Sequence, residues 1–166
     1  VVNEKLTKGD WIVHANYGLG QVKGEDKKVL AGEEQEYYKV QTRSATYWLP
    51  KDRLDADSIR EVASSKKFRQ ALSEIKKQPE TMHKDYRKRR ARIADVISRN
   101  SVVGFATLIR DLYWRRKQKN LNENEKHALD LLKERFAREW SIASGIKEAE
   151  ALSKLEKTLS KEIPNP

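Results

Sequence analysis

Around residue 60 the spacing of apolar residues changes, and this change limits the possible folds more than any other feature of the chain. Before it, β-forming residues come in short runs. These are Trp11-Ile12-Val13-His14, Gln21-Val22-Lys23 with a continuation at Lys28-Val29-Leu30, Glu36-Tyr37-Tyr38-Lys39-Val40-Gln41, Thr46-Tyr47-Trp48-Leu49, and Ser58-Ile59-Arg60-Glu61-Val62. Turn clusters separate them at Asn16-Tyr17-Gly18-Leu19-Gly20 and Ala31-Gly32-Glu33-Glu34, and Pro50 closes the fourth run. Strands this short and close cannot make a large sandwich. A small SH3-like or Tudor-like barrel over residues 1–60 is the economical closed answer.

From Ser64 onward apolar residues recur at helical spacing. Phe68, Leu72 and Ile75 share one face before Gln78-Pro79 breaks the helix. A second helix is expected over about 81–99 on Ile93, Val96 and Ile97. Ser101 caps a third, buried through Phe105, Leu108, Ile109 and Leu112. Asn122 and Glu125 have the spacing of a capping box for a fourth, with Leu129, Leu132, Phe136 and Trp140 inward and Gly145 as its stop. A fifth covers about 147–162 on Ala151, Leu152, Leu155 and Leu159, and the tail 163–166 is expected to fray. The fold class is therefore α+β: a small β-barrel followed by an all-α domain of about five helices over residues 61–166.

Charge divides at the same place. Of 35 Lys/Arg and 25 Asp/Glu in the chain, residues 1–58 hold only nine and ten. The net charge of +10 therefore resides in the helical part. A neutral barrel joined to a cationic helical domain predicts a polyanion partner for the second part only. The densest feature is Lys84-Asp85-Tyr86-Arg87-Lys88-Arg89-Arg90-Ala91-Arg92, where five of the six residues 87–92 are basic. They cover more than one helix face, so a single intrahelical ion-pair network cannot absorb them; phosphate contact by Arg87, Lys88, Arg89 and Arg90 is the simplest use. A second cluster, Arg110, Arg115, Arg116, Lys117 and Lys119, ends the third helix and in part complements the helix terminus. Tyr86 heads the first run, and Trp114 lies opposite Phe105; either is a candidate DNA-facing aromatic.

Other chemistry is thinly represented. There is no cysteine, so disulfides and thiolate metal sites are excluded, and His14, His83 and His127 have no ligand spacing. No cofactor motif, P-loop or nucleophile elbow occurs, and the chain reads as a non-enzyme. No apolar run is long enough for a membrane helix, and the first ten residues do not have the pattern of a signal peptide. In the barrel, Tyr37/Tyr38 and Tyr47/Trp48 must point to opposite faces. One member of each pair should face outward, and an outward aromatic before Pro50 is a candidate protein-docking patch.

The order Lys8-Gly9-Asp10-Trp11-Ile12-Val13-His14, Tyr17-Gly18-Leu19-Gly20, Gly32, Glu36-Tyr37 and Tyr47-Trp48-Leu49-Pro50 resembles the CarD/CdnL family of bacterial RNA polymerase-binding regulators. It also resembles the polymerase-interacting module of transcription-repair coupling factors. Arg110-Asp111-Leu112-Tyr113, Leu121 and Glu125-Lys126 resemble the helical part of CarD proteins. The resemblance implies a cytoplasmic, nucleoid-associated, monomeric transcription regulator. Its barrel would bind the polymerase β subunit through a strand edge and neighbouring side chains. Lys28 and Trp48 fall at positions that contact polymerase in relatives, with Tyr47 and Pro50 beside them. Some relatives carry a basic residue where Trp48 stands. The helical part would bind promoter DNA, largely without sequence preference and through the minor groove, to stabilise the open complex. Tyr86 stands where relatives place a wedging Trp; Lys88, Arg89 and Lys126 match positions near DNA, and Ala91 replaces a residue that is basic in some. The alternative is a free-standing architectural DNA- or RNA-binding protein.

Overall fold

The computed structural model describes residue 2 and residues 5–54 and 58–166. It divides into two compact units, residues 1–62 and 63–166.

The first unit is a five-stranded antiparallel sheet in the order β4-β3-β2-β1-β5. The strands are β1 (Trp11–His14), β2 (Gly18–Leu30), β3 (Glu33–Gln41), β4 (Thr46–Pro50) and β5 (Ile59–Glu61), with a 3-10 turn at Lys51–Arg53. β2 runs through Lys28-Val29-Leu30 as one strand, the continuation expected, but it begins inside the expected turn at residues 16–20. Gly20 explains why. A Cβ there would lie 2.7 Å from Val40 Cγ1, so this glycine serves close strand packing rather than a turn. A bulge between Val22 and Gly24 shifts the β2–β3 register, and the hairpin closes through Ala31 (φ 52°) and Gly32 (φ 84°). Two consecutive positive φ angles are the pattern of a tight primed hairpin turn.

The inner face gathers Ile12, Val22, Tyr38, Val40, Tyr47, Leu49 and Ile59. Alternation puts Tyr37 on the other face, as expected, yet its ring is buried too. Its cross-strand neighbours are Asp26 and Pro50, and Lys28 reaches over it with Nζ 5.9 Å from the ring centroid. Long side chains on the outer face thus cover an aromatic that alternation alone would expose.

The second unit contains α1 (Ser65–Ile75), α2 (Tyr86–Arg99), α3 (Val102–Gln118), α4 (Glu123–Ser144) and α5 (Glu148–Glu162). Side chains cap four of them: Ser64, Asp85, Ser101 and Asn122 each accept a backbone N–H of the first turn, and Asn122 with Glu125 completes a capping box. Gly145 ends α4 at φ 66°. The core is built on Phe68, Ile75, Phe105, Leu108, Ile109, Leu112, Leu132, Phe136, Leu155 and Leu159. Each such side chain contributes about 1.5–3 kcal/mol when fully buried.

Three expectations are corrected. α2 starts at Tyr86 rather than near residue 81, because Asp85 caps it and Met82 turns into the core ahead of it. Leu152 faces water, and Ala151, Leu155 and Leu159 form the buried stripe of α5 without it. Ile163 does not fray: it is buried, and its carbonyl accepts from Lys117 Nζ at 2.8 Å.

Candidate nucleic-acid interface and docking patch

The head of α2 presents an aromatic to water. Asp85 Oδ1 accepts the Arg87 N–H at 2.8 Å, which fixes Tyr86 as the first helical residue. The Tyr86 ring is 56% exposed, and the nearby Arg87 guanidinium carbon lies 5.8 Å from its centroid. Arg90, one turn on, lines a cleft with Tyr86, Asn122, Glu123, Asn124 and Glu125. Arg87, Lys88 and Arg90 are exposed, as is Lys126, whose Nζ donates to Glu123 at 2.7 Å. An exposed pair of that kind is worth little and exchanges readily for a phosphate. Arg87, Lys88 and Arg90 make the head of α2 a cationic surface that begins with an aromatic, and Lys126 adds an exposed cation on α4.

Arg89 is not part of that surface, which corrects its reading as a phosphate ligand. Its side chain is buried, its Nε pairs with Glu125 Oε1, and its Nη1 donates to the carbonyls of His83 (2.9 Å) and Lys84 (2.6 Å). Glu125 is the hub. Its Oε2 accepts from Arg115 Nε at 3.3 Å and from the Asn122 N–H at 3.2 Å. Burial alone would raise the Glu125 pKa. Arg89, the Asn122 N–H and Arg115 together outweigh that effect and hold the carboxyl below the usual glutamate range.

The second basic cluster is divided: Arg110 is buried, Arg115 and Lys117 are half-buried, and Arg116 and Lys119 are exposed. Asp111, fully buried, accepts from Arg110 Nε (2.8 Å), Arg92 Nη2 (2.5 Å) and the Glu80 N–H (2.9 Å). Arg110 also donates to the Glu74 carbonyl at 3.1 Å. Arg115 turns to Glu125, and the Arg116 guanidinium carbon sits 4.8 Å from the Tyr113 ring centroid. Trp114 packs against the core, which leaves Tyr86 as the aromatic of the two that faces water.

On the sheet unit the four residues expected at a docking patch divide. Lys28 and Trp48 meet on the outer face: the ammonium lies 3.6 Å from the indole centroid, a cation–π contact. The indole N–H donates to Asp26 Oδ2 at 3.1 Å, and the ring stays 39% exposed. Pro50 is half-buried at the end of β4, an edge strand whose outer backbone edge has no ladder partner in the described sheet. Tyr47 is a correction. Its ring is buried on the inner face, with Tyr17 stacked 4.6 Å away, so it supports the patch rather than forming it. Burial pushes its hydroxyl well above the usual tyrosine range. The stacking of Tyr17 on Tyr47 and the hub role of Glu125 were not read from sequence. The Asn122–Glu125 capping spacing and the family-like Glu125-Lys126 pair marked Glu125 in the sequence, but neither pointed to Arg89 36 residues before it.

Residues 6–63 match the CarD-like/TRCF RID domain, and residues 70–156 match the CarD C-terminal domain. The chain belongs to the CarD family. Its sheet unit is accordingly Tudor-like, and members of the family are transcription regulators that interact with RNA polymerase rather than enzymes. The chain is also similar to the Bacillus subtilis (strain 168) protein named "Putative transcription factor YdeB", at 25% identity over 147 residues, covering 87% of this chain and 96% of that one. Among the described residues no helix is long and apolar enough to cross a membrane, and no cluster of His, Cys, Asp or Glu has the make-up of a metal site.

Proposed function

We propose that this CarD-family regulator holds the RNA polymerase β subunit with its sheet unit and promoter DNA with the head of α2, and thereby stabilises the open complex. Polymerase is held by Lys28, Trp48 and Pro50 beside the free edge of β4, where main-chain strand addition supplies affinity and the Lys28–Trp48 pair supplies a side-chain anchor. DNA is held by Arg87, Lys88, Arg90 and Lys126 on phosphates, with Tyr86 against the minor groove. The observation that carries the reading is the exposed Tyr86 ring set at the head of exposed cations, in a unit that holds the whole net positive charge of the chain.

The mechanism is differential binding. Unstacking a base step costs a few kcal/mol. An aromatic ring that fills the opened step offsets this cost only in distorted DNA, so the melted state is favoured over the closed one. Tethering through polymerase raises the effective concentration, and weak, sequence-tolerant contacts suffice. Four phosphate contacts predict that log affinity for promoter duplex falls with log salt at a slope of about −3.6. A slope near zero in a titration of the full chain would show that the α2 surface does not hold DNA.

A further inference from the structure

The Tyr86 ring is exposed and its hydroxyl accepts from its neighbour Arg87 at 3.5 Å, so the placement of the ring depends on the backbone beneath it. That backbone is pinned on both sides by one side chain. Arg89, three residues after Tyr86, donates through Nη1 to the carbonyls of His83 and Lys84, just before it. The guanidinium therefore ties the first turn of α2 to the non-helical segment that enters it. Arg89 is held in turn by Glu125, at the third position of α4, whose two oxygens divide between Arg89 on one side and Arg115 with the Asn122 N–H on the other. α2, the end of α3 and the start of α4 thus converge on one buried carboxylate. A carboxylate is suited to this because it accepts on both oxygens, and an arginine because its planar fork donates in several directions at once.

We propose that Glu125, acting through Arg89, is a positioning residue that preorganises Tyr86 for insertion beside a distorted base step. The inference rests on the assignment of Tyr86 as the wedge. An exposed ring on a loose helix start would lose freedom on insertion and bind more weakly; a ring on an anchored backbone has already lost it. The Arg89–Glu125 pair stands to Tyr86 as an outer shell stands to a ligand. Behind metal ligands, loss of such support typically costs between tenfold and a hundredfold, and the lower end sets the scale here.

The test is the lifetime of polymerase–promoter open complexes with saturating full-length chain. Glu125→Gln keeps the shape and the capping-box geometry but removes the charge that orients Arg89. It should shorten the lifetime about tenfold while leaving polymerase binding and the salt slope of DNA affinity unchanged. The double variant R89M/E125Q removes both charges and avoids stranding a buried guanidinium; it should stay folded by far-UV circular dichroism and show the same loss. In a Tyr86→Ala background, Glu125→Gln should cause no further loss. Wild-type lifetime in the folded double variant, with Tyr86→Ala impaired, would overturn the positioning role alone. A further loss on top of Tyr86→Ala would also overturn it. Wild-type lifetime in Tyr86→Ala would remove the wedge and the positioning role together.

Discussion

Replacing Asp111 by alanine tests whether the buried charges of the helical unit are structural. Asp111 is fully buried and neutralises Arg110, which is itself only 3% exposed. Breaking a buried pair from one side costs about 3–5 kcal/mol, because the remaining charge has no water to turn to. Arg92 is a smaller term: its side chain is 31% exposed and can rotate into solvent. The Glu80 N–H, at 2.9 Å from Asp111 Oδ1, also loses its acceptor. A total loss of about 4 kcal/mol is the result, out of the 5–15 kcal/mol that holds a typical domain together. In a unit of this size that lowers Tm by roughly 15–30 °C. Urea unfolding followed at 222 nm reads this unit selectively, because the α-helices lie in residues 63–166. Asp111→Asn, which keeps one carbonyl acceptor, should lose about half as much. A loss below about 1 kcal/mol for Asp111→Ala would refute the reasoning and return Arg110 to the pool of cations available to DNA.

Two further outcomes follow from the same structure. Trp48→Ala removes an exposed ring that packs against the Lys28 ammonium and lies on the edge strand itself; it should weaken binding to polymerase about 30-fold, as the loss of an aromatic anchor does, with the fold intact. Unchanged affinity in a binding titration would show that the anchor lies elsewhere. The depressed pKa of Glu125 makes a signed prediction for acid stability. Its contribution is full above the unfolded glutamate value of about 4.3 and is lost as pH falls through the lower folded value. Glu125→Gln should therefore flatten the acid limb of the stability profile below about pH 4.3, whereas identical limbs would contradict the pairing with Arg89.

Local signals in the sequence marked most of the architecture. Ser101, Asn122 with Glu125, and Gly145 mark helix ends through their own side-chain or backbone chemistry, and each does so in the structure. The apolar stripes of α3 and α4 follow the helical period closely. The misreadings share a non-local cause. Gly20 reads as a turn because nothing in its neighbourhood reveals Val40 across the sheet. Arg89 reads as a phosphate ligand because charge usually means exposure. Arg89 finds its partner 36 residues away, so only the fold removes it from the DNA-facing run. Arg110-Asp111 and Glu125, which helped to reveal the family, are thus buried charges of the helical core. The exposed residues Tyr86, Arg87, Lys88, Arg90 and Lys126 are the candidate DNA contacts that the structure leaves open to a partner.

The central claim, that an exposed aromatic at the head of α2 sustains the melted promoter, meets its most direct test in open-complex half-life. Polymerase is loaded on a promoter with the full chain or with Tyr86→Ala, at concentrations where both are equally bound to polymerase. Stacking of an aromatic on a base is worth about 1–3 kcal/mol, so the substitution should shorten the half-life by about tenfold or more. An unchanged half-life with Tyr86→Ala would contradict the account.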